Sequence, residues 1–174
     1  MRPDIVTIGK AFGGGFPVSG VLTTDEICQA KPWSIPSGSS SSYGGNPLGA
    51  MAGASALKII VDERLVENSA QVGAVMLREL ESFVDRYPFV GCVQGAGMFM
   101  RVELVKHKAS KEPLPRPVTE RIFHECVRRG LLTMAYAANF RIQPALPMDE
   151  ATARNGLAVL REVFDTVDRE RWFA

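Results

Sequence analysis

The sequence is poor in the residues that build metal sites and disulfide frameworks. Its three cysteines, Cys28, Cys92 and Cys126, are far apart and form no Cys-x-x-Cys pair, which argues against a zinc site and a disulfide scaffold. Its two histidines, His107 and His124, match no metal-ligand spacing and no Ser-His-Asp arrangement. We therefore expect no metal site, and we expect a reducing compartment, the cytoplasm.

Net charge and long apolar runs are also lacking. The 20 Lys and Arg residues balance 19 Asp and Glu residues, so the formal net charge is +1. Such a balance gives no basic field for nucleic acid and no acidic tail. No apolar run reaches the length of a membrane span, and residues 1–4 carry no hydrophobic signal. We expect neither a nucleic acid nor a membrane as partner.

The composition that remains is that of a globular protein. The chain has 174 residues, of which 46% are hydrophobic and 22% are charged, so it can bury a real core. This length suits one domain, or one domain plus a piece of another. No internal repeat divides it.

The first third of the chain predicts the end of an α/β layer. Residues 4–9 are typical of a buried strand in a parallel sheet, with no helix before them. Lys10, a loop with three glycines at 11–17 and a second strand at 18–23 follow. Residues 47–61 are apolar on all sides, which predicts a helix buried between two layers. Because a first strand needs neighbours, we expect that part of the layer precedes this sequence.

The remainder predicts a self-consistent α+β unit. The helical pattern continues to residue 87, and residues 89–105 alternate in the strand manner around a glycine turn. One face of that alternation carries Met98, Met100, Val102 and Leu104. The other expected elements are a polar loop over 106–116, a helix over 117–129, strands over 131–134 and 140–143, and a final helix that starts at 147–150.

Lys10 is the most informative single residue. It follows an apolar strand and precedes a glycine loop, which is where α/β proteins place ligand chemistry. A lysine that is desolvated there can act as a neutral amine and attack a carbonyl to form a Schiff base. The alternative is a solvated lysine, which the spacing alone favours. The loop is not a phosphate-binding Walker A motif, because the lysine precedes the glycines.

Two further segments carry candidate binding residues. Residues 39–46 offer hydroxyls, loop amides and a helix N-terminus, which suit an oxyanion such as phosphate, or they form an ordinary turn and helix cap. Arg141 lies in an apolar strand. It either extends to solvent at a sheet edge or holds a carboxylate. Taken by itself, the residue favours the first of these alternatives.

Three segments in order resemble the class III aminotransferases, which are fold-type I α/β enzymes dependent on pyridoxal 5'-phosphate (PLP). They are residues 3–17 (PDIVTIGKAFGGGFP), residues 42–48 (SYGGNPL) and residues 140–146 (FRIQPAL). The resemblance covers the whole chain. It implies that residues 1–61 are the end of the PLP-binding large domain with the interdomain helix, and that residues 62–174 are the small C-terminal α+β domain.

The resemblance also implies a role for each candidate residue. Lys10 is the catalytic Schiff-base lysine that binds PLP and shuttles a proton. Ser42 replaces the usual threonine that binds the cofactor phosphate across a homodimer interface, and Tyr43 lies beside it in the cofactor-binding motif. Arg141 receives the substrate carboxylate, since a guanidinium fork suits that planar anion. The turn at 95–97 is structural.

The sequence also departs from that family. Its members are much longer, and their phosphate loop, the aromatic residue that stacks on PLP and the aspartate at the pyridine nitrogen all precede the lysine. Because PLP needs that aspartate, we expect the chain to be the C-terminal part of such an enzyme and to be inactive alone.

The leading functional hypothesis is transfer of an amino group from an amine or ω-amino acid to a 2-oxo acid such as 2-oxoglutarate. An aminomutase or a decarboxylating transaminase on the same scaffold is an alternative. A non-catalytic binding or dimerisation module is a third, because a fold does not by itself define a function.

Overall fold

The computed structural model of the chain describes residues 2–134 and 137–174. Met1, the first residue of the expected large-domain segment, lies outside this description. The chain divides into two compact units, residues 1–64 and residues 65–174, called here the N-terminal and the C-terminal unit. That these units are the end of a large domain and a small domain, with the boundary expected at residues 61–62, stays a prediction.

The N-terminal unit combines a two-stranded sheet with one long helix. Its elements are β1 (Ile5–Ile8), a 3-10 helix (Lys10–Gly13), β2 (Gly20–Thr23), α1 (Asp25–Cys28) and α2 (Pro47–Asp62). β1 pairs with β2 in antiparallel register, with Ile5 opposite Thr23 and Ile8 opposite Gly20. The expectation of a buried strand in a parallel sheet is therefore wrong, since Ile5 is half exposed. An apolar run predicts that a strand is buried, but it does not predict whether the neighbouring strand is parallel or antiparallel.

Helix α2 begins as its sequence predicts. The Asn46 side-chain oxygen accepts hydrogen bonds from the amides of Leu48 at 2.8 Å and Gly49 at 3.3 Å, and Pro47 occupies the first turn. The expectation that the helix is buried on all sides is wrong, because its buried residues are Gly49 and Gly53 alone. Its large apolar side chains are exposed in this chain: Leu48, Met51, Leu57, Ile59 and Val61.

The C-terminal unit is an antiparallel sheet packed against helices. Its elements are α3 (Leu65–Arg86), β3 (Val90–Ala96), β4 (Phe99–His107), β5 (Glu112–Pro113), α4 (Arg116–Arg128), β6 (Asn139–Ile142) and α5 (Glu150–Arg169). β4 is the central strand, and it pairs with β3, β5 and β6. Helix α3 packs on β3 and β4, and α5 packs on α3 and α4.

The core of this unit lies on the sheet face that the alternation predicts. Met100, Val102 and Leu104 are fully buried, and Met98 is nearly so. This prediction is confirmed. Aromatic rings from α3, the loop after it, β6 and α5 complete the core: Phe83, Tyr87, Phe89, Phe140 and Phe164.

Two expectations about strands in this unit are wrong. Residues 131–134 form no strand; a single bridge joins Met134 to Arg141, because the segment's backbone meets the edge of the sheet at one residue only. The expected polar loop contains the two-residue strand β5, which pairs with β4 through Val105 and His107. A two-residue strand is too short to show a period in sequence.

Candidate active site

Lys10 lies at a strained turn directly after β1. Gly9 is extended, Lys10 has a φ of 58° and opens the 3-10 helix, and Gly14 closes that helix with a φ of 60°. A left-handed conformation is costly for a residue with a Cβ and persists where the surrounding structure enforces it. Strain of this kind concentrates at functional sites. Ser37, Arg64, Lys111 and Arg171 also have a positive φ, so the strain supports Lys10 as a candidate only together with its place between a strand and a glycine loop.

The loop that follows Lys10 is closely packed. A Cβ at Gly13 would lie 2.5 Å from Val18 Cγ1, and a Cβ at Gly53 would lie 3.2 Å from the ring of Phe12. The absence of a side chain at Gly13 lets the loop close on Val18, and its absence at Gly53 lets the ring of Phe12 pack on α2. The loop is therefore packed at Phe12 and Gly13, and Lys10 lies at the start of the loop.

The side chain of Lys10 is exposed. Within residues 2–134 and 137–174, no hydrogen bond or ion pair engages its amine. Other lysines differ, for example Lys58, which bonds Asp62 at 2.6 Å on the same helix turn. The Lys10 amine is thus available to a ligand without loss of a hydrogen bond or ion pair to any described residue.

The segment before α2 forms two successive turns. The Gly44 amide donates to the Ser41 carbonyl at 3.1 Å, and the Asn46 amide donates to the Tyr43 carbonyl at 3.1 Å. Tyr43 is 82% exposed, and among the described residues the Ser42 hydroxyl has no hydrogen-bond partner. Both side chains can therefore reach outward to a ligand or to a second polypeptide.

The helix N-terminus itself is not open to an anion. Asn46 already occupies the amides of Leu48 and Gly49, and Pro47 has no N–H. The anion-binding role expected for this segment therefore falls on the Ser42 hydroxyl and the loop amides. The α2 dipole still favours negative charge there.

Arg141 lies on the exposed edge strand β6. Its neighbour Phe140 is fully buried, so alternation directs Arg141 to the sheet face opposite the core. Its backbone amide donates to the Met134 carbonyl at 3.3 Å, while the guanidinium has no hydrogen bond or ion pair with any described residue. A cavity of about 730 Å³ adjoins Arg141 and is lined largely by apolar side chains.

Arg101 is a candidate that the sequence reasoning missed. It lies on β4 directly opposite Arg141, and both arginines line a second cavity of about 230 Å³. Glu103 accepts a hydrogen bond from Arg101 at 3.4 Å. Burial, and then the hydrogen bond and charge of Glu103, raise the pKa of the neighbouring Cys92 thiol. The alternation over 89–105 places Arg101 on the outer face, but only strand register shows that it meets Arg141.

The candidate residues fall into two groups. Lys10, Ser42 and Tyr43 belong to the N-terminal unit and lie on loops that adjoin α2, whereas Arg141 belongs to the C-terminal unit. Among the described residues, no group of three His, Cys, Asp or Glu side chains could hold a metal ion. In the same part of the chain, no helix combines the length and apolarity that crossing a membrane requires.

Comparisons with known proteins agree with one another. The family model described as aminotransferase class-III matches residues 1–164. The mitochondrial alanine–glyoxylate aminotransferase 2 of Homo sapiens is 38% identical over 147 residues, which cover 83% of this chain and 28% of that protein. An ethanolamine-phosphate phospho-lyase homolog of Caenorhabditis elegans is 32% identical over 96% of this chain and 36% of its own length.

A solved structure gives the same result for the fold. The PLP-bound amine transaminase of an uncultivated Pseudomonas species aligns with a TM-score of 0.85 and 28% identity, over 94% of this chain and 38% of its own. The chain belongs to the class III aminotransferase family. Its fold is accordingly that of the fold-type I PLP-dependent transferases. It spans about a third of the length of the relatives it matches.

Proposed function

We propose that this chain carries the lysine-bearing part of a PLP-dependent aminotransferase. The proposed enzyme moves an amino group from an amine or ω-amino acid to a 2-oxo acid. The observation that carries the proposal is Lys10, whose amine has no hydrogen bond or ion pair with any described residue and which lies on a strained turn between a strand and a glycine loop. Family membership supports the reaction class.

The donor set of the N-terminal unit fits PLP in its chemistry. PLP has an aldehyde, which a primary amine binds covalently, and a phosphate, which hydroxyl and amide donors hold. Lys10 supplies such an amine, and Ser42 supplies a hydroxyl without a partner among the described residues. Tyr43 extends from the same turn. When bound, PLP supplies an electron sink for the carbon next to the transferred nitrogen.

Each residue of this chain has a defined task in the proposal. Lys10 Nζ would hold the cofactor and, as a free amine, would carry a proton to and from the substrate carbon. Arg141 binds the substrate carboxylate through its guanidinium fork, which orients an amino acid and a 2-oxo acid alike. Ser42 holds the cofactor phosphate of a partner subunit.

The proposed assembly is a homodimer in the cytoplasm, with the site shared across the interface. Its support is the family resemblance together with the exposed apolar side chains of the N-terminal unit, since large exposed apolar patches mark interaction surfaces. No contact among the described residues favours an aminomutase or a decarboxylating transaminase over plain amino transfer.

The experiment that tests the proposal traps the cofactor on its lysine. The chain is incubated with PLP, reduced with borohydride and digested, and the modified peptide is identified by mass spectrometry. We expect the label on Lys10, and we expect Lys10→Ala to lose it while Lys58→Ala retains it. Lys58 is a matched control because it is exposed in the same unit and paired with Asp62.

The reaction itself is tested on the polypeptide of the full open reading frame. We expect the amino group of an ω-amino acid to appear on 2-oxoglutarate, and Lys10→Ala to abolish this transfer. Rearranged or decarboxylated product without transfer to the 2-oxo acid would replace the proposal with one of its alternatives. Label spread evenly over exposed lysines would remove the role assigned to Lys10.

A further inference from the structure

Two arginines face each other across the edge of the C-terminal sheet. In the antiparallel pairing of β4 with β6, Arg101 is directly opposite Arg141. Met100, Val102 and Phe140 are fully buried on the core face, so both arginines belong to the opposite face. Directly opposed residues have Cβ atoms about 4.5–5.5 Å apart, and like charges in such a pair repel each other.

The charge of this pair is only partly neutralised. Glu103 accepts one hydrogen bond from an Nη of Arg101 at 3.4 Å, whereas Arg101 Nε is buried and has no partner among the described residues. The guanidinium of Arg141 has none there either. Glu103 therefore engages one guanidinium of the pair. A buried charged donor has no acceptor among the described residues, which is a costly arrangement unless a ligand supplies the acceptor.

A cavity of suitable size lies against both side chains. Its volume is about 230 Å³, and its lining is Arg101 and Arg141 with Phe99, Met134, Ala137 and Asn139. This space holds an acid group with a few carbon atoms. The two guanidiniums can offer planar N–H forks to the oxygens of one such group.

We propose that Arg101 and Arg141 together hold a single acid group, and that Arg101 is a second substrate-binding residue. The inference rests on the proposed function in one respect, namely that the acid group is the carboxylate of the amino-group donor or acceptor. Arg101 adds a second cation to the one that orients the substrate. It makes the site selective for an ionised acid over a neutral isostere.

A titration of the full chain tests this without any catalytic readout. Pyruvate is added to ¹⁵N-labelled protein at low salt, and the arginine Nε–Hε resonances are followed by NMR. The two resonances are assigned from the variants Arg101→Gln and Arg141→Gln. We expect both to move along one binding curve with pyruvate, and neither to move with the neutral analogue pyruvamide.

The variants give the expected magnitudes. Arg101→Gln weakens pyruvate binding about tenfold, as the loss of a charge-assisted contact predicts. Lys106→Gln is the matched control: it removes a cation from the same strand that is paired with Glu112, and it changes the affinity less than about twofold. Glu103→Gln tightens binding because it removes the competing carboxylate, and this gain disappears in the Arg101→Gln background.

Three results would overturn the inference. If the Arg141 resonance moves and the Arg101 resonance does not, Arg101 is outside the site and the proposed function stands unchanged. If neither moves, both arginines lose their role, and amino transfer by the full-reading-frame polypeptide decides the proposed function separately. If Arg101→Gln fails to fold by circular dichroism, Arg101→Lys replaces it, and pyruvate affinity equal to wild type in that variant contradicts a planar fork.

Discussion

The two units of this chain differ most in what they bury. In the described part of the N-terminal unit the buried residues are three glycines, Gly13, Gly49 and Gly53. Every buried hydrophobic side chain of the described residues lies at Leu65 or beyond. The C-terminal unit thus has a core of its own, whereas the N-terminal unit exposes the apolar surface that a core would use.

The candidate cofactor residues therefore lie on the unit that has no hydrophobic core of its own. The loop after Lys10 packs on α2 through the ring of Phe12 at Gly53, and no hydrophobic side chain among the described residues of this unit is buried. An exposed apolar surface of this kind is expected to pack against further polypeptide. The proposed homodimer supplies one such surface. The following predictions test how far the two units are independent.

The largest effect is expected from the centre of the aromatic core. Phe164 is fully buried, and its ring lies 5.1 Å from that of Phe89 and 5.5 Å from that of Tyr87, measured between centroids. Phe164→Ala should lower the free energy of unfolding of the C-terminal unit by about 3–5 kcal/mol. The measurement is urea unfolding followed by Trp172 fluorescence in a Trp33→Phe background, which leaves one reporter in that unit.

The control for this prediction lies in the other unit. Phe12 packs against Gly53 of α2, so Phe12→Ala should leave the Trp172 transition where it is. A shift of that transition comparable to the one in Phe164→Ala would show that the units unfold as one cooperative body.

An intermediate effect is expected at alkaline pH. Burial, and then the charge of Glu125, raise the pKa of the Cys126 thiol from 9.0 to about 12. Because the folded pKa is the higher one, the thiol stabilises the fold fully below pH 9, and this contribution is lost as the pH rises toward 12. The free energy of unfolding measured with Trp172 should therefore fall over this range.

Two variants separate the contribution of Cys126. Cys126→Ala should make the fall in the free energy of unfolding shallower by up to about 1.4 kcal/mol per pH unit, which is the effect of one bound proton. Cys28→Ala, at an exposed position, should not change that slope. Burial and the hydrogen bond to Asp165 raise the pKa of Tyr87 as well, so some slope remains. Equal slopes in all three proteins would contradict this assignment.

Sequence reasoning succeeded where the local period of apolar residues alone defines the buried face of a strand or helix. The alternation from Met98 to Leu104 predicts a buried face, and the side chains of that face lie in the core. The prediction of burial failed for β1 and α2. Their apolar surface predicts that they are buried, but the described residues of this chain leave it largely exposed. The proximity of Arg101 to Arg141 could not be predicted, since strand register is a long-range property.

The candidate site likewise combines features that the local sequence predicts with features that depend on the fold. Lys10 was singled out by its local setting, a strand followed by glycines, and the structure adds the strained φ that no propensity shows. The roles of Lys10, Ser42, Tyr43 and Arg141 came from the resemblance and stay predictions. A single sequence carries the order of these residues but not their distances in space.

The smallest effect is expected at the cap of α2, where local and external stabilisation can be compared directly. Asn46→Ala removes the acceptor for two amides and should cost about 1 kcal/mol of local helix stability. Hydrogen exchange at Leu48 and Gly49 should speed up about fivefold, while the Trp172 transition stays unchanged. Because the variant also frees those amides for an anion, added phosphate should slow their exchange again, which it cannot do in the wild-type chain. If phosphate protects both proteins equally, Asn46 does not close the helix N-terminus, and the anion site expected before α2 extends onto the helix itself.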